Sequence, residues 1–190
     1  PNNLQKILLM MLPPNNPTSF KLNSHAIQRR RSLPERNKFS IAELSALPPY
    51  YGEVEIQDNL GYMYLGGADC GTALRLLWNG EYEPSSINIW KKLCKKANQI
   101  YDLGAHTGIY TIAAAYSSPK RKNSVSAFIH SFEPYIVNFI RFRLNSKLND
   151  IQTVSSIHQL AVSDKNGEVE MHVPLIIVST VTGTANFAQE

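Results

Sequence analysis

The chain has 190 residues, 43% hydrophobic and 18% charged, which is the composition of an ordinary soluble domain with a tail and a substantial core. Its formal net charge of +4 is mild, and basic domains that bind no nucleic acid are common, so no nucleic-acid partner is expected. The longest apolar run near the start, Ile7–Leu12, is far shorter than the roughly 20 residues that span a bilayer, which excludes a transmembrane segment there.

Residues 1–45 are predicted to form a poorly ordered arm. The stretches "LPPNNPTS" and "RRRSLPERN" mix prolines and asparagines with a short basic run, and they show little apolar periodicity. The run Arg29–Arg31 has the charge to contact phosphate or lipid, but a solvated tail is the simpler interpretation.

Residues 46–98 are predicted to form a hairpin and a helix that lead into the core. Apolar and polar residues alternate from residue 53, turn residues follow at 58–61, and a second strand pattern begins at Tyr62. Further along, "EPSSINIWKKLCKK" has proline and serines at its front and lysines at its back, which predicts a helix that ends near Lys96.

Residues 99–190 are predicted to contain a parallel sheet. Short strands are expected at 100–103, 125–132 and 156–162, with helices after the first two, and this order favours a parallel sheet with right-handed crossovers. A turn at 164–167 then leads into an alternating segment. The residues expected to face inward on the two helices are Ile109, Ile112, Ala113, Tyr116 and Ile136, Phe139, Ile140, Leu144, Leu148.

Polar and glycine residues follow two of these strands directly. Asp102, Gly104 and Gly108 lie at the end of the first strand, and Glu133 lies at the end of the second. Ligands of such sheets bind beyond the carboxyl ends of the strands. The glycines allow close approach of the backbone, the helix start favours a negatively charged group, and a carboxylate can accept hydrogen bonds from both hydroxyls of a ribose.

Two phosphate-bearing ligands fit this turn poorly. A dinucleotide fingerprint counted from Gly104 requires glycine at positions 106 and 109, where the chain has His106 and Ile109. A phosphate-binding loop requires Gly-Lys-Ser/Thr, and Gly108 is followed by Ile-Tyr-Thr. A ligand with a ribose and a carboxylate but no phosphate fits better, and a nicotinamide-dependent oxidoreductase stays as an alternative.

Three ordered motifs resemble those of the FkbM family of S-adenosylmethionine-dependent methyltransferases. They are Asp102-Leu103-Gly104-Ala105-His106-Thr107-Gly108, then Phe132-Glu133-Pro134, then Ala161-Val162-Ser163-Asp164-Lys165-Asn166-Gly167. "GEYEP" at 80–84 resembles the family's approach to the first motif, and the resemblance covers about residues 80–175. It implies a Rossmann-like class I methyltransferase sheet and S-adenosylmethionine as the methyl donor.

By this resemblance the cofactor-binding residues are Asp102, Gly104, Ala105, His106, Gly108, Glu133 and Ala161. The glycine turn would receive the methionine part, Glu133 would hold the ribose, and Ala161 would lie near the adenine. His106 stands where the family usually has asparagine, and we interpret it as a loop residue able to contact the ligand. The implied acceptors are hydroxyl groups on sugars, glycans or other small molecules.

The chain ends at Glu190, before the acidic Asp-x-Glu-Gly type motif that the family carries downstream. We therefore expect a C-terminally truncated, partial methyltransferase domain, the N-terminal half of the sheet, in which the catalytic residues remain unidentified. A non-catalytic fragment or interaction module with a donor-binding fold is the alternative from another class.

Cys70 and Cys94 lie far apart and have no partner at metal-ligand spacing, so we predict two buried small hydrophobes and no metal site. With no signal-peptide cleavage site near the start, a cytoplasmic location is expected. The sequence identifies neither the acceptor nor the oligomeric state.

Overall fold

The computed structural model describes residues 17–118, 128–171 and 183–187. Its contacts divide the chain into two compact units, Pro1–Pro84 and Ser85–Glu190. The division comes earlier in the chain than the predicted start of the core at residue 99. The reason is that the helix before residue 99 packs with the strands that follow it, since Cys94 shares one buried cluster with Ile100 and Ile129.

The first unit contains the predicted hairpin. Strands β1 (Tyr50–Glu55) and β2 (Tyr62–Gly67) pair antiparallel, with Val54 opposite Met63, and a 3-10 turn at Gln57–Asn59 lies between them. Val54 and Met63 are both buried, which is the alternation expected of a strand pair with one face inward. The hairpin prediction is confirmed.

The described part of the predicted arm contains two helices, α1 (Pro17–Arg31) and α2 (Ile41–Ser45). The Asn23 side chain ties α1 to β1, because its amide donates to Tyr51 O at 2.7 Å and its oxygen accepts from Tyr51 N at 2.8 Å. Helix α2 begins with a capping box formed by Ser40 and Glu43. The contact between Asn23 and Tyr51 is tertiary, and such a contact leaves no periodic signal in the sequence from which α1 could be predicted.

Helix α3 (Gly71–Asn79) was not predicted. No side chain caps its start, and its end is marked by Gly80 in the left-handed conformation at φ 82°. Its buried face carries Trp78, which is fully enclosed. Its sequence signals are the final glycine and a run rich in alanine and leucine, which are strong helix formers.

The second unit begins with α4 (Pro84–Cys94), close to the predicted helix that ends near Lys96. A parallel sheet follows, made of β3 (Gln99–Leu103), β4 (Phe128–Phe132) and β5 (Ser155–His158) in the order β3-β4-β5 among the described residues. Helices α5 (Ile109–Ser117) and α6 (Ile136–Leu148) connect the strands.

This βαβαβ arrangement is one half of a Rossmann-like sheet. The register pairs Leu103 with Phe132, and Phe132 with His158, so the three strands end side by side. The α/β fold and the parallel sheet are therefore confirmed. Residues 125–127 of the predicted second strand lie outside the described residues.

The third predicted strand is divided between two sheets. Its first part is β5, and its second part is β6 (Leu160–Ala161), which belongs to a small sheet with β7 (Glu168–Met171) and β8 (Gly183–Phe187). Strand β8 lies between the other two, parallel to β6 and antiparallel to β7. Of the predicted alternating segment, Val169 and Met171 lie in β7, and Val173 lies outside the described residues.

The predicted inward face of α6 is wrong. Of its five members only Ile140 is buried, and the enclosed side chains are instead Arg141, Phe142, Asn145 and Ser146. The helix is rotated because it packs against the loop before α5, where Phe142 and Asn145 make close contacts described below. On α5, Tyr116 is 46% exposed and is likewise not part of the core.

Both cysteines are buried free thiols, as predicted. Burial, with a smaller contribution from the charge of Asp102, raises the pKa of the Cys94 thiol to about 11, so it is a neutral thiol at pH 7. Among the helices of the described residues, none has the length and apolar content needed to cross a bilayer.

Candidate ligand site at the ends of the parallel strands

The loop from Gly104 to Gly108 joins the end of β3 to the start of α5. Two of its backbone N–H groups, those of Gly104 and Ala105, donate to Phe132 O at 2.9 and 3.0 Å. Gly108 N donates to Ala105 O at 2.8 Å and closes the turn. The loop is therefore hydrogen-bonded to the end of the neighbouring strand β4.

The Glu133 side chain lies against this loop. One carboxylate oxygen, Oε2, accepts from His106 N at 2.8 Å, and the other, Oε1, accepts from Tyr135 N at 2.9 Å and from Asn138 Nδ2 at 3.5 Å. The residue is 5% exposed, and its own N–H donates to His158 O at 3.0 Å. Glu133 thus touches the loop and is surrounded by hydrogen-bond donors.

The two glycines of the loop have left-handed backbones, with φ 76° at Gly104 and φ 94° at Gly108. Their surroundings differ. A Cβ on Gly104 would meet nothing within 4 Å, whereas a Cβ on Gly108 would lie 2.2 Å from Phe142 Cδ2. Gly104 therefore borders open space, and Gly108 allows α6 to pack on the loop.

The carboxylate of Asp102 lies beneath the loop. Thr111 Oγ1 donates to Asp102 Oδ2 at 2.6 Å, and the same hydroxyl is 2.7 Å from Ser131 Oγ. Burial raises the pKa of Asp102, the negative charge of Glu133 adds to this, and the hydrogen bonds from Thr111 oppose it. The acid of the first strand therefore holds the start of α5.

His106 stands at the tip of the loop with φ 52°, a conformation in which a side chain larger than glycine is uncommon. Its Nδ1 is 3.2 Å from Thr107 Oγ1. Desolvation by the surrounding loop lowers the pKa of His106, and the charge of Glu133 opposes this. The imidazole is therefore neutral at pH 7.

Of the seven sequence-predicted residues, the structure brings six together at the ends of β3 and β4, and the place of Ala161 near the adenine stays a prediction. Ala161 is in β6 and pairs with Phe187 of β8, in a different sheet from β3–β5. Within the described residues no three His, Cys, Asp or Glu side chains are grouped to hold a metal ion.

Four residues that support the site were not singled out from the sequence, and they are Thr111, Ser131, Phe142 and Asn145. Asn145 is fully buried, and its Nδ2 donates to Thr107 O at 2.8 Å. It is one of several polar residues on α6, and such residues usually indicate the solvent face, so the sequence does not single it out.

The fold and this site define a Rossmann-like α/β protein with a candidate ligand site at the carboxyl ends of its strands. No protein-family model matches the chain, and no curated protein matches it. Solved structures do match it, each at low identity, as follows.

Pyrococcus horikoshii TYW2 in complex with MeSAdo has 15% sequence identity and a TM-score of 0.43, with 86% of this chain and 61% of that chain covered. A Klebsiella pneumoniae protein assigned as an O-methyltransferase has 12% identity and a TM-score of 0.32, with coverage of 85% and 59%. A P. horikoshii protein assigned as a transferase has 16% identity and a TM-score of 0.39, with coverage of 57% and 36%. The chain spans less than two thirds of each, and likeness of this degree assigns no function.

Proposed function

We propose that this chain binds S-adenosylmethionine at the Gly104–Gly108 loop and Glu133, and that it acts as a methyltransferase of the class I, FkbM-like type. The observation that carries the proposal is the 2.8 Å hydrogen bond from His106 N to Glu133 Oε2. It joins the turn after one strand to the acid after the next, which are the two features that would hold the methionine part and the ribose of the ligand.

The residues fit such a ligand. Each carboxylate oxygen has about two acceptor positions, and Oε2 accepts only from His106 N, so Glu133 retains one position for a ribose hydroxyl. A second position becomes free on Oε1 when the ligand displaces the long 3.5 Å contact from Asn138. Gly104, with open space where a Cβ would lie, allows a ligand to approach the backbone. When bound, S-adenosylmethionine supplies a methyl group carried on a positively charged sulfonium.

The same contacts disfavour a phosphate at this loop. The N–H groups of Gly104, Ala105 and His106 already donate to Phe132 O and to Glu133. The Glu133 carboxylate would also repel a phosphate placed beside them, since like charges at close range raise the energy of both. S-adenosylmethionine carries no phosphate, and its ammonium and sulfonium charges offset its carboxylate, so Glu133 disfavours it less than an anionic nicotinamide dinucleotide.

The acceptor that we propose is a hydroxyl group on a sugar or another small molecule, as the three motifs of the FkbM resemblance imply. The residues described above form a donor site. Neither carboxylate of the site is a candidate general base, because Asp102 is engaged with Thr111 and Glu133 with the loop. Methyl transfer also requires alignment of donor and acceptor.

Calorimetric titration with S-adenosylmethionine and with its demethylated product tests the proposal. We expect the wild type to bind both, and Gly104→Ala to bind at least about tenfold more weakly, because a methyl group then occupies the space that the ligand needs. Glu133→Gln should weaken binding by about tenfold or more, because a carboxylate accepts stronger hydrogen bonds than an amide.

Two controls separate binding from folding. Gly61→Ala introduces the same kind of backbone strain, at φ 99°, in the hairpin turn of the other unit. Glu168→Gln removes one surface charge from the same unit as the site. Both variants should bind as the wild type does. A folded wild type that binds neither ligand, or site variants that bind as tightly as the controls, would show that the proposal is wrong.

A further inference from the structure

A cavity lies between α6 and β5. Its volume is about 360 Å³, and it is lined by Phe139, Arg143, Ser146, Lys147, Gln152, Ser155 and Ile157. Ser155 is the first residue of β5, whereas Glu133 follows the last residue of β4, so this groove is reached from a different part of the sheet than the candidate donor site. It is separate from the site described above.

The lining of this groove is basic. Arg143 and Lys147 are exposed and stand one helical turn apart on α6, and the seven lining residues include no acid. In the part of the chain that the structure describes, neither cation forms an ion pair with a carboxylate. The Arg143 guanidinium lies 5.9 Å from the centre of the Phe139 ring, a contact that keeps it at the groove.

Ser146 adds a buried polar group to the same groove. The residue is 1% exposed, and its hydroxyl has no hydrogen-bond partner among the described residues. Buried hydroxyl groups are nearly always paired, so one without a partner in the wall of a cavity points to a ligand. The other serine of the lining, Ser155, already donates to Ile151 O at 2.8 Å.

We propose that this groove binds a phosphate-bearing small molecule. Arg143 and Lys147 would neutralise the phosphate, the Ser146 hydroxyl would donate to one of its oxygens, and the Gln152 amide would supply a further donor. A phosphate accepts several hydrogen bonds at once and is strongly attracted to paired cations. The proposal is independent of the donor site, because the side chains that hydrogen-bond to Glu133 or to the loop belong to other residues, such as Asn138 and Asn145.

Titration of the whole chain with inorganic phosphate, followed by the backbone amide signals of α6 and β5, tests this site. Sodium chloride at matched ionic strength is the reference. We expect saturable shifts centred on Ser146 and Lys147 with phosphate alone. Arg143→Gln and Lys147→Gln should each weaken binding by about tenfold, the effect of one lost charge-assisted hydrogen bond.

Ser146→Ala is the sharpest variant, because it removes a hydroxyl that has no internal bond to lose. It should leave thermal stability unchanged and weaken phosphate binding. Lys92→Gln, an exposed lysine on α4, is the matched control and should bind phosphate as the wild type does. No response beyond that to chloride, or equal affinity in the Arg143 and Lys147 variants and the control, would overturn the proposal.

Discussion

Gly104 and Gly108 belong to the same loop, and both have left-handed backbones, but the space around them differs. Open space adjoins Gly104, whereas the Phe142 ring fills the position of a Cβ on Gly108. A motif pattern treats the two glycines alike. The structure assigns Gly108 to helix packing and leaves Gly104 beside open space.

Alanine substitution should separate these two roles. Gly104→Ala should destabilise the fold by about 1–2 kcal/mol, the cost of a left-handed backbone for a residue with a Cβ. Gly108→Ala should cost about 2–5 kcal/mol, because the clash with Phe142 adds to the same strain. Urea unfolding of both variants measures the difference, and equal losses would contradict the assigned packing role of Gly108.

Asp102 should make stability depend on pH. Its pKa is raised in the folded chain, so the fold prefers the protonated form. Its contribution is therefore most favourable below the usual pKa near 3.8, and it is lost as the pH rises through the raised value. Asp102→Asn keeps an acceptor for Thr111 Oγ1 and removes this dependence.

Relative to the wild type, Asp102→Asn should be about as stable in acid and more stable at neutral pH. Urea unfolding of both proteins over a pH series gives the difference, in which the other titrating groups cancel. A variant whose relative stability falls as the pH rises would contradict a raised pKa for Asp102.

Among single residues, the sequence predicted that Glu133 and the glycine turn would lie close together. This was possible because both directly follow parallel strands, whose ends lie side by side. The sequence could not predict that the Thr111 hydroxyl would bond to Asp102 and, in turn, to Ser131. Those hydroxyls come from a helix and a neighbouring strand, and their approach depends on packing. Ala161 was grouped with the site by motif resemblance, and the bend between β5 and β6 places it in another sheet.

Helix α6 shows how packing on a loop overrides a pattern of apolar residues. The sequence spacing predicted Ile136, Phe139 and Leu144 as inward, but the fully buried side chains include a polar one, Asn145. The loop before α5 presents a backbone carbonyl to the helix, and that group needs a donor. Asn145 supplies the donor, so α6 is rotated about its axis with Asn145 facing the loop.

Asn145→Ala should therefore destabilise the chain by about 1–3 kcal/mol, because Thr107 O would lose its partner in a buried position. Asn138→Ala is the comparison on the same helix. Its amide lies at the limiting distance of 3.5 Å from Glu133 Oε1, so its loss should cost less. Thermal or urea unfolding checks both, and an Asn145 variant no less stable than the Asn138 variant would contradict the rotated face of α6.

For the molecule as a whole, the hairpin and the parallel sheet were predictable because each depends on local alternation or on the order of strands and helices. The helices α1 and α3 were not predicted. A tertiary contact through Asn23 positions α1, and the prediction overlooked the run of alanine and leucine in α3. The division between Pro84 and Ser85 was missed for a related reason, as α4 packs with strands that follow it in the chain.

The central claim is that the loop after β3 and the acid after β4 bind one S-adenosylmethionine molecule together. Its most direct test is a titration of the whole chain with the demethylated product of S-adenosylmethionine, monitored at every backbone amide. The largest shifts should fall on His106 and Tyr135, whose N–H groups donate to the two oxygens of Glu133, and on Gly104. Saturable binding with its largest shifts elsewhere, or no shifts in a folded sample, would contradict the claim.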